Sequence, residues 1–231
     1  MYAIKKLVFE DKKYSLAELQ CALENDWENN EMMRLHFLNC SKFGNDETES
    51  DQMAIDVSEN VREILESKKN NKGFCFRPSL FQYMGHTYAG PMLGATPDGR
   101  KAAEPIAHGM NPMHGRNKNG IAATVDSFTK LDFSKYQGGS FQLELTPNYF
   151  KSGANTAQLM ETFALIFFQK GGVQINFNLV DMEILKAAMD DPNNPEYSDI
   201  NVKVTGYSSH FVTMDKKFQQ EFVERVNYGN L

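Results

Sequence analysis

The chain has 231 residues and a mass of 26.2 kDa, and its 41% hydrophobic and 23% charged residues exclude a disordered chain and suffice for a sizeable core. With 24 Lys and Arg against 30 Asp and Glu, the net charge of -6 excludes a general affinity for polyanions, and we expect no nucleic-acid partner. The longest apolar run, Phe163–Phe168, is too short to cross a membrane and the first residues do not resemble a signal peptide, so we expect no membrane association and predict a cytoplasmic location.

The first 72 residues are predicted to be helical and polar. Ser15 and Glu18 have the spacing of a capping box, which predicts a helix over residues 15–25. Apolar residues at helical spacing predict two more helices, over residues 31–39 and 53–67. The apolar faces of these two helices are predicted to consist of Met32, Leu35 and Leu38 in the first and Val57, Val61, Ile64 and Leu65 in the second.

Glycine and proline are concentrated in the middle of the chain. Ten of the 16 glycines and five of the 8 prolines lie between Gly73 and Gly139. This density predicts a long ordered loop region over residues 73–120, because glycine permits positive φ and proline fixes turns. Loops of this length in compact domains tend to carry function.

The second half of the chain alternates strands and helices. Alternating apolar and polar residues predict half-buried strands at 141–145, 173–180 and 200–204. Helices are predicted at 156–170, ended by Gly171-Gly172, at 182–189, capped by Asp181, and at 216–226, capped by Asp215. The order of these elements indicates an α/β fold.

The spacing of the residues argues against several common kinds of functional site. The segment Gly94–Lys101 has the GxxxxG spacing of a phosphate loop but lacks the Lys-Ser/Thr pair, so we interpret it as a Pro-Asp-Gly turn. None of the five histidines forms a pair with metal-ligand spacing, and His108 and His114 are interpreted as loop residues without a metal. The three cysteines lack CxxC spacing, which predicts reduced thiols, with neither a disulfide framework nor a thiolate zinc site.

Gly206 lies between the predicted strand 200–204 and the last predicted helix. The simplest interpretation is a glycine that ends a strand in a tight turn. Glycine is also suited to lose an α-hydrogen, because the missing Cβ lets the carbon radical flatten and delocalise over the two flanking peptide groups. The choice between these interpretations depends on the rest of the chain.

Three separated blocks give that context, and with them the chain resembles the C-terminal part of glycyl radical enzymes, the pyruvate formate-lyase superfamily. The first block comprises AIKKLVFEDKKYSLAELQCAL at 3–23 and Lys42-Phe-Gly-Asn-Asp46, which is similar to the KxGND of the family. The second is GATPDGRKAAEPIAHGMNPMHGRNKNG at 94–120, in which NPMHGR is especially like pyruvate formate-lyase. The third, residues 202–226, has the surroundings of the radical loop, with Gly206-Tyr207 as the radical dipeptide.

The resemblance implies a fold, two domains and a site. The fold would be the C-terminal part of a ten-stranded α/β barrel with a C-terminal glycine radical loop. Residues 1–120 would be a barrel-derived helical segment and the glycine-rich loop, and residues 121–231 the glycine radical domain. Gly206 would be the catalytic residue, with no bound cofactor and no metal. Relatives usually have Arg and Ser, Ala or Cys where Lys203 and Thr205 stand here.

The resemblance also implies a mechanism divided between two parts of an enzyme. An S-adenosylmethionine radical activating enzyme with an iron–sulfur cluster removes a hydrogen from the glycine, and the glycyl radical then generates a thiyl on a cysteine, which attacks a small-molecule substrate. Cys21, Cys40 and Cys75 do not match the cysteine loop of the family. We therefore expect no turnover by this chain alone and expect a cysteine-bearing N-terminal half as its partner.

Three functional hypotheses remain open from the sequence. The first is the radical-bearing portion of a formate acetyltransferase-like enzyme, with dehydratase, decarboxylase or lyase chemistry as variants. The second is a non-catalytic spare part that restores a full-length glycyl radical enzyme damaged by oxygen. The third is an inactive fragment, in which exposed barrel edges and apolar patches would favour aggregation.

Overall fold

The computed structural model describes residues 1–82, 85–145, 156–204 and 206–224. The first half is helical, as predicted. Helix α1 (Tyr2–Ile4) continues into a π-helical segment, Lys5–Glu10, and is followed by α2 (Leu16–Glu24), α3 (Glu31–Asn39) and α4 (Thr48–Glu66). The capping box at the start of α2 is confirmed, since the Glu18 N–H donates to Ser15 Oγ over 3.2 Å and the Ser15 N–H donates to Glu18 Oε2 over 2.7 Å.

The buried face of α3 differs from the predicted apolar face, and the predicted apolar stripe of α4 is present but exposed. In α3 the buried residues are Met33 and Phe37, whereas Met32 is 67% exposed. Met33 and Phe37, one helical turn apart, pack with Trp27 in a core that also contains residues of α1 and α2. Helix α4 begins five residues earlier than predicted, and its apolar stripe, which includes Val61 and Ile64, faces away from the described core.

The glycine-rich region is ordered and contains little regular structure, as predicted. It holds a short helix, α5 (Gly85–Ala89), followed by a 3-10 turn at Gly90–Met92. The Pro-Asp-Gly turn is confirmed, because Gly99 has a φ of +91° and its N–H donates to Thr96 O over 3.1 Å. Arg100 is buried beside this turn and donates to the carbonyls of Gly94 and Glu104.

The second half has the predicted α/β order. It comprises α6 (Gly120–Thr129), β1 (Phe141–Leu145), α7 (Thr156–Gln169), β2 (Ile175–Leu179), α8 (Met182–Asp190), β3 (Asn201–Val204), β4 (Tyr207–His210) and α9 (Lys216–Glu224). Strands β1 and β2 are parallel with α7 between them, in a register from Phe141↔Ile175 to Leu145↔Leu179. Strands β3 and β4 form an antiparallel hairpin. The described residues form two two-stranded sheets and do not show the expected ten-stranded barrel.

The helix caps and ends of this half follow the local sequence. Asp181 accepts a hydrogen bond from the Glu183 N–H at 3.0 Å, and Asp215 accepts one from the Lys217 N–H at 2.9 Å. The predicted end of the last helix, at Val226, lies outside the described residues. Strand β1 differs from the prediction, since both of its faces are buried.

The described residues pack into three apolar clusters. One joins α1, α2 and α3 around Trp27 and Phe37, and a second joins α6, β1 and α7 around Phe128 and Phe167. The third lies beneath the β3–β4 hairpin and includes Leu185 of α8, with contributions from α9. In the described part of the chain, no helix combines the length and apolarity needed to span a membrane.

Candidate functional site

Gly206 lies in the turn of the β3–β4 hairpin. The strand register pairs Val204 with Tyr207, so Gly206 lies in the connection between the two strands. Gly206 is exposed and has a φ of +100°, a conformation that glycine adopts without steric cost. Thr205 lies outside the described residues. The predicted tight turn is therefore present, and the sequence did not reveal that a second strand follows it.

Two polar side chains near the start of β2 lie beside the Cα of Gly206. A Cβ built on Gly206 would lie 3.3 Å from Nε2 of Gln174 and 3.7 Å from Oδ1 of Asn176. One α-hydrogen of the glycine consequently points at a pair of amide groups. Amides are neither acidic nor strongly nucleophilic, so the groups beside this α-hydrogen are unreactive.

A buried amide connects the hairpin to the parallel strands. The Asn178 Nδ2 donates to Lys203 O over 2.8 Å, and the Lys203 N–H donates to Asn178 Oδ1 over 2.5 Å. Asn178 also donates to Glu144 Oε1 of β1 over 3.4 Å. The side chain thus satisfies both backbone groups of a β3 residue that lies three positions before Gly206.

The polar residues of β1 and β2 share the face that carries this contact. Gln142 pairs in register with Asn176, and Glu144 pairs with Asn178. Gln142 and Glu144 are buried, and the side chain of Asn111 bonds both backbone groups of Gln142. The polar residues of these alternating strands were predicted to face solvent. Gln142, Glu144 and Asn178 are instead buried and form a polar layer near Gly206.

A second buried polar cluster fixes α9 to the glycine-rich region. His86 Nε2 of α5 lies 2.8 Å from Glu221 Oε1 of α9, and both side chains are buried. His114 Nε2 lies 3.7 Å from the same oxygen, and the rings of His86 and His108 are 4.5 Å apart. The three histidines therefore lie in a packed polar cluster. Their spacing in the sequence did not predict that His86 and His114 both lie near Glu221.

The three cysteines lie on elements other than the hairpin. Cys21 on α2 and Cys75 are exposed, and Cys40, at the end of α3, is partly buried. Burial raises the pKa of the Cys40 thiol, which disfavours the thiolate. None of the three has the surroundings of an activated cysteine. Within the described residues, no group of three or more His, Cys, Asp or Glu is placed to hold a metal ion.

Comparisons with known proteins match two families to separate parts of the chain. The family described as pyruvate formate lyase-like matches residues 1–90, and the family described as glycine radical matches residues 106–212, a range that includes Gly206. Taken together with relatives that include formate acetyltransferases, these matches show that the chain belongs to the glycyl radical enzyme superfamily.

Individual relatives match 80–99% of this chain, but the match covers only 25–28% of their own length. The chain is 28% identical to the indoleacetate decarboxylase of Tractidigestivibacter scatoligenes, over 99% of this chain and 28% of that protein. It is 30% identical to the formate acetyltransferase of Haemophilus influenzae, over 80% of this chain and 25% of that protein. The glycerol-bound structure of the B12-independent glycerol dehydratase from Clostridium butyricum superposes with a TM-score of 0.90 and 34% identity, over 98% of this chain and 28% of that one. The chain therefore spans little more than a quarter of these relatives.

Proposed function

We propose that the chain is the radical-bearing portion of a pyruvate formate-lyase-like enzyme and that Gly206 stores the radical. The observation that carries the proposal is an exposed glycine with a φ of +100° in a hairpin turn, inside the segment that matches the glycine radical family. The missing Cβ lets the Cα become planar when it loses a hydrogen atom. The amide groups of Gln174 and Asn176 would shield the radical without reacting with it.

The proposed chemistry consists of hydrogen-atom transfers. A radical S-adenosylmethionine activating enzyme takes one α-hydrogen atom from Gly206. The Gly206 radical then takes the hydrogen atom of a cysteine thiol, which restores the glycine and leaves a thiyl radical to act on a small-molecule substrate. Since none of the three cysteines of this chain has suitable surroundings, the thiol is assigned to a cysteine-bearing portion of the fold, on the same polypeptide or on another.

We further propose residues 1–120 as the barrel-derived part and residues 121–231 as the glycine radical domain. The reaction assigned first is acetyl transfer of the formate acetyltransferase type, supported by the NPMHGR segment. Dehydration or decarboxylation is the second candidate, favoured by the similarity to the glycerol dehydratase structure and to the decarboxylase. Binding to an oxygen-cleaved relative with recovery of its activity would support the spare-part alternative.

The test is anaerobic electron paramagnetic resonance after incubation with S-adenosylmethionine and a reduced activating enzyme that is active on a full-length relative. The chain is measured alone and with the cysteine-bearing portion of that relative. We expect an organic radical whose signal splits further when the chain is labelled with [2-¹³C]glycine. Exposure to air should then break the backbone near Gly206, as mass spectrometry would show.

Two glycine variants make this test specific. Gly206→Ala should abolish both the radical and the cleavage. Gly171→Ala is the matched control, because Gly171 has a φ of +94° and open space around its Cβ position, so it reproduces the backbone strain away from the hairpin. A radical that persists in Gly206→Ala, or no radical in either setting, contradicts the assignment of Gly206.

A further inference from the structure

Two of the sequence blocks fold against each other, far from Gly206 in sequence. Asn45 of the KxGND segment donates from Nδ2 to Arg116 O over 2.8 Å, and the Lys118 N–H donates to Asn45 Oδ1 over 2.6 Å. Gly44 has a φ of +99°, and a Cβ there would lie 2.1 Å from Cγ of Pro112. The two segments are thus held in fixed contact by hydrogen bonds and close packing.

A polar cavity of about 170 Å³ lies between these segments. Three cationic residues line it: Lys42 from the first segment, and Arg116 and Lys118 from the second. Glu47 is the acidic residue among the described lining residues. The lining therefore has an excess of positive charge in a chain whose net charge is -6.

Lys42 and Arg116 lack carboxylate partners at ion-pair distance within the described part of the chain. Lys42 Nζ donates instead to the carbonyls of Phe37, over 2.7 Å, and Cys40, over 2.9 Å. The Nε of Arg116 is buried, and among the described residues it has no hydrogen-bond acceptor. A buried guanidinium donor without an acceptor is costly, and such a donor is a reason to look for a ligand.

Electrostatics around the cavity favour an added negative charge. Burial is the main cause that lowers the pKa of Lys42; the charges of Cys40 and Asp98 oppose this shift, whereas those of Arg116 and Lys118 add to it. Burial likewise lowers the pKa of Arg116, against the opposing charges of Asp98 and Glu104. An anion in the cavity would offset both the desolvation and the repulsion among these cations.

We propose that this cavity binds a small tetrahedral oxyanion of the phosphate type. A guanidinium matches such an anion through its planar donors, and an ammonium adds a compact charge. The buried hydroxyl of Ser41, also in the lining, has no hydrogen-bond partner among the described residues and supplies a further donor. At about 170 Å³ the cavity is large enough to hold an anion of the size of phosphate.

The probe is inorganic phosphate, added to the full chain at constant ionic strength with chloride as the reference anion. We expect phosphate to raise the midpoint of thermal unfolding and to bind in calorimetry with saturation. Arg116→Met should weaken phosphate binding about tenfold or more, since it removes a charge-assisted contact. Without phosphate this variant should lose little stability, because the Nε donor that it removes is buried and has no acceptor among the described residues.

Two further variants keep the test decisive. Lys118→Met changes an exposed side chain of the lining, which avoids a folding defect, and should weaken phosphate binding severalfold. Arg62→Met is the matched control, because Arg62 pairs with Glu59 and Glu66 on α4 outside the cavity, and it should leave phosphate binding unchanged. Equal effects of phosphate on the wild type and both cavity variants would overturn the proposal, and so would acetate binding as tightly as phosphate.

Discussion

The amide of Asn178 fixes the Gly206 hairpin to the parallel strands. It is buried, and it binds both the N–H and the C=O of Lys203. A hydrophobic contact would tolerate sliding of the hairpin, whereas two directional hydrogen bonds define one position. The side chain of Lys203 is exposed and takes no part in this contact. The backbone of residue 203 therefore positions the hairpin against β2, whether the side chain is Lys or Arg.

Replacing Asn178 by Ala should therefore destabilise the chain and loosen the hairpin. Two partly buried backbone groups of Lys203 would lose their partner, which predicts a loss of about 2 kcal/mol in the free energy of unfolding. Urea unfolding measures that loss, and hydrogen exchange of residues 201–210 should become faster. Asn60→Ala is the control, because Asn60 is exposed and bonds only to the carbonyl of Asp56. Equal losses in the two variants would contradict a positioning role for Asn178.

At the scale of elements, the helix caps are determined locally and their pH dependence can be predicted. Hydrogen bonds from the Ser15 N–H and then its hydroxyl lower the pKa of Glu18 from its ordinary value of 4.5. Because the folded chain has the lower pKa, the contribution of Glu18 to stability is present above pH 4.5. It is lost as the pH falls through the lowered value.

Glu18→Gln removes this titration but keeps the hydrogen-bonding pattern of the capping box. The loss of stability between pH 6.5 and about pH 3 should therefore be smaller in the variant than in the wild type. Urea unfolding at the two pH values measures the difference. Glu28→Gln, at an exposed position outside the helix, serves as the control. An unchanged pH dependence in Glu18→Gln would show that the capping contact does not contribute to stability in solution.

At the scale of the whole molecule, a large apolar surface is left uncovered. The stripe of α4 that includes Val57, Val61 and Ile64 is exposed, and a groove of about 530 Å³ lies along the same helix. Monomeric proteins rarely expose contiguous apolar surfaces of this kind. The chain spans 28% of the length of these relatives. The exposed stripe is explained if other parts of the fold cover it.

Substituting Val61 and Ile64 by Lys should leave the stability of the chain within about 0.5 kcal/mol, because neither side chain is in the described core. The double variant should also self-associate less, as sedimentation velocity would show. Phe37→Ala, which removes a fully buried ring, should by contrast cost about 3–5 kcal/mol. A loss of 2 kcal/mol or more in the lysine variant would mean that the stripe is packed in solution.

Several features could be predicted because they depend on neighbouring residues. The capping box at Ser15, the Asp181 and Asp215 caps and the turn at Gly99 involve contacts within a few positions, and all are present. The α/β order followed from the periodicity of the second half. The buried faces were predicted less well, because periodicity identifies an apolar stripe without identifying what covers it.

The α/β order of the second half, several helix caps and the family of the chain could be predicted from the sequence, whereas β4 could not. The buried surfaces and the contacts between distant residues became apparent from the structure alone. Asn45 contacts Arg116 across 71 positions, and His86 meets Glu221 on the last helix. Such contacts arise from the packing of whole elements, so their energies depend on distances between segments that no local pattern of residues specifies.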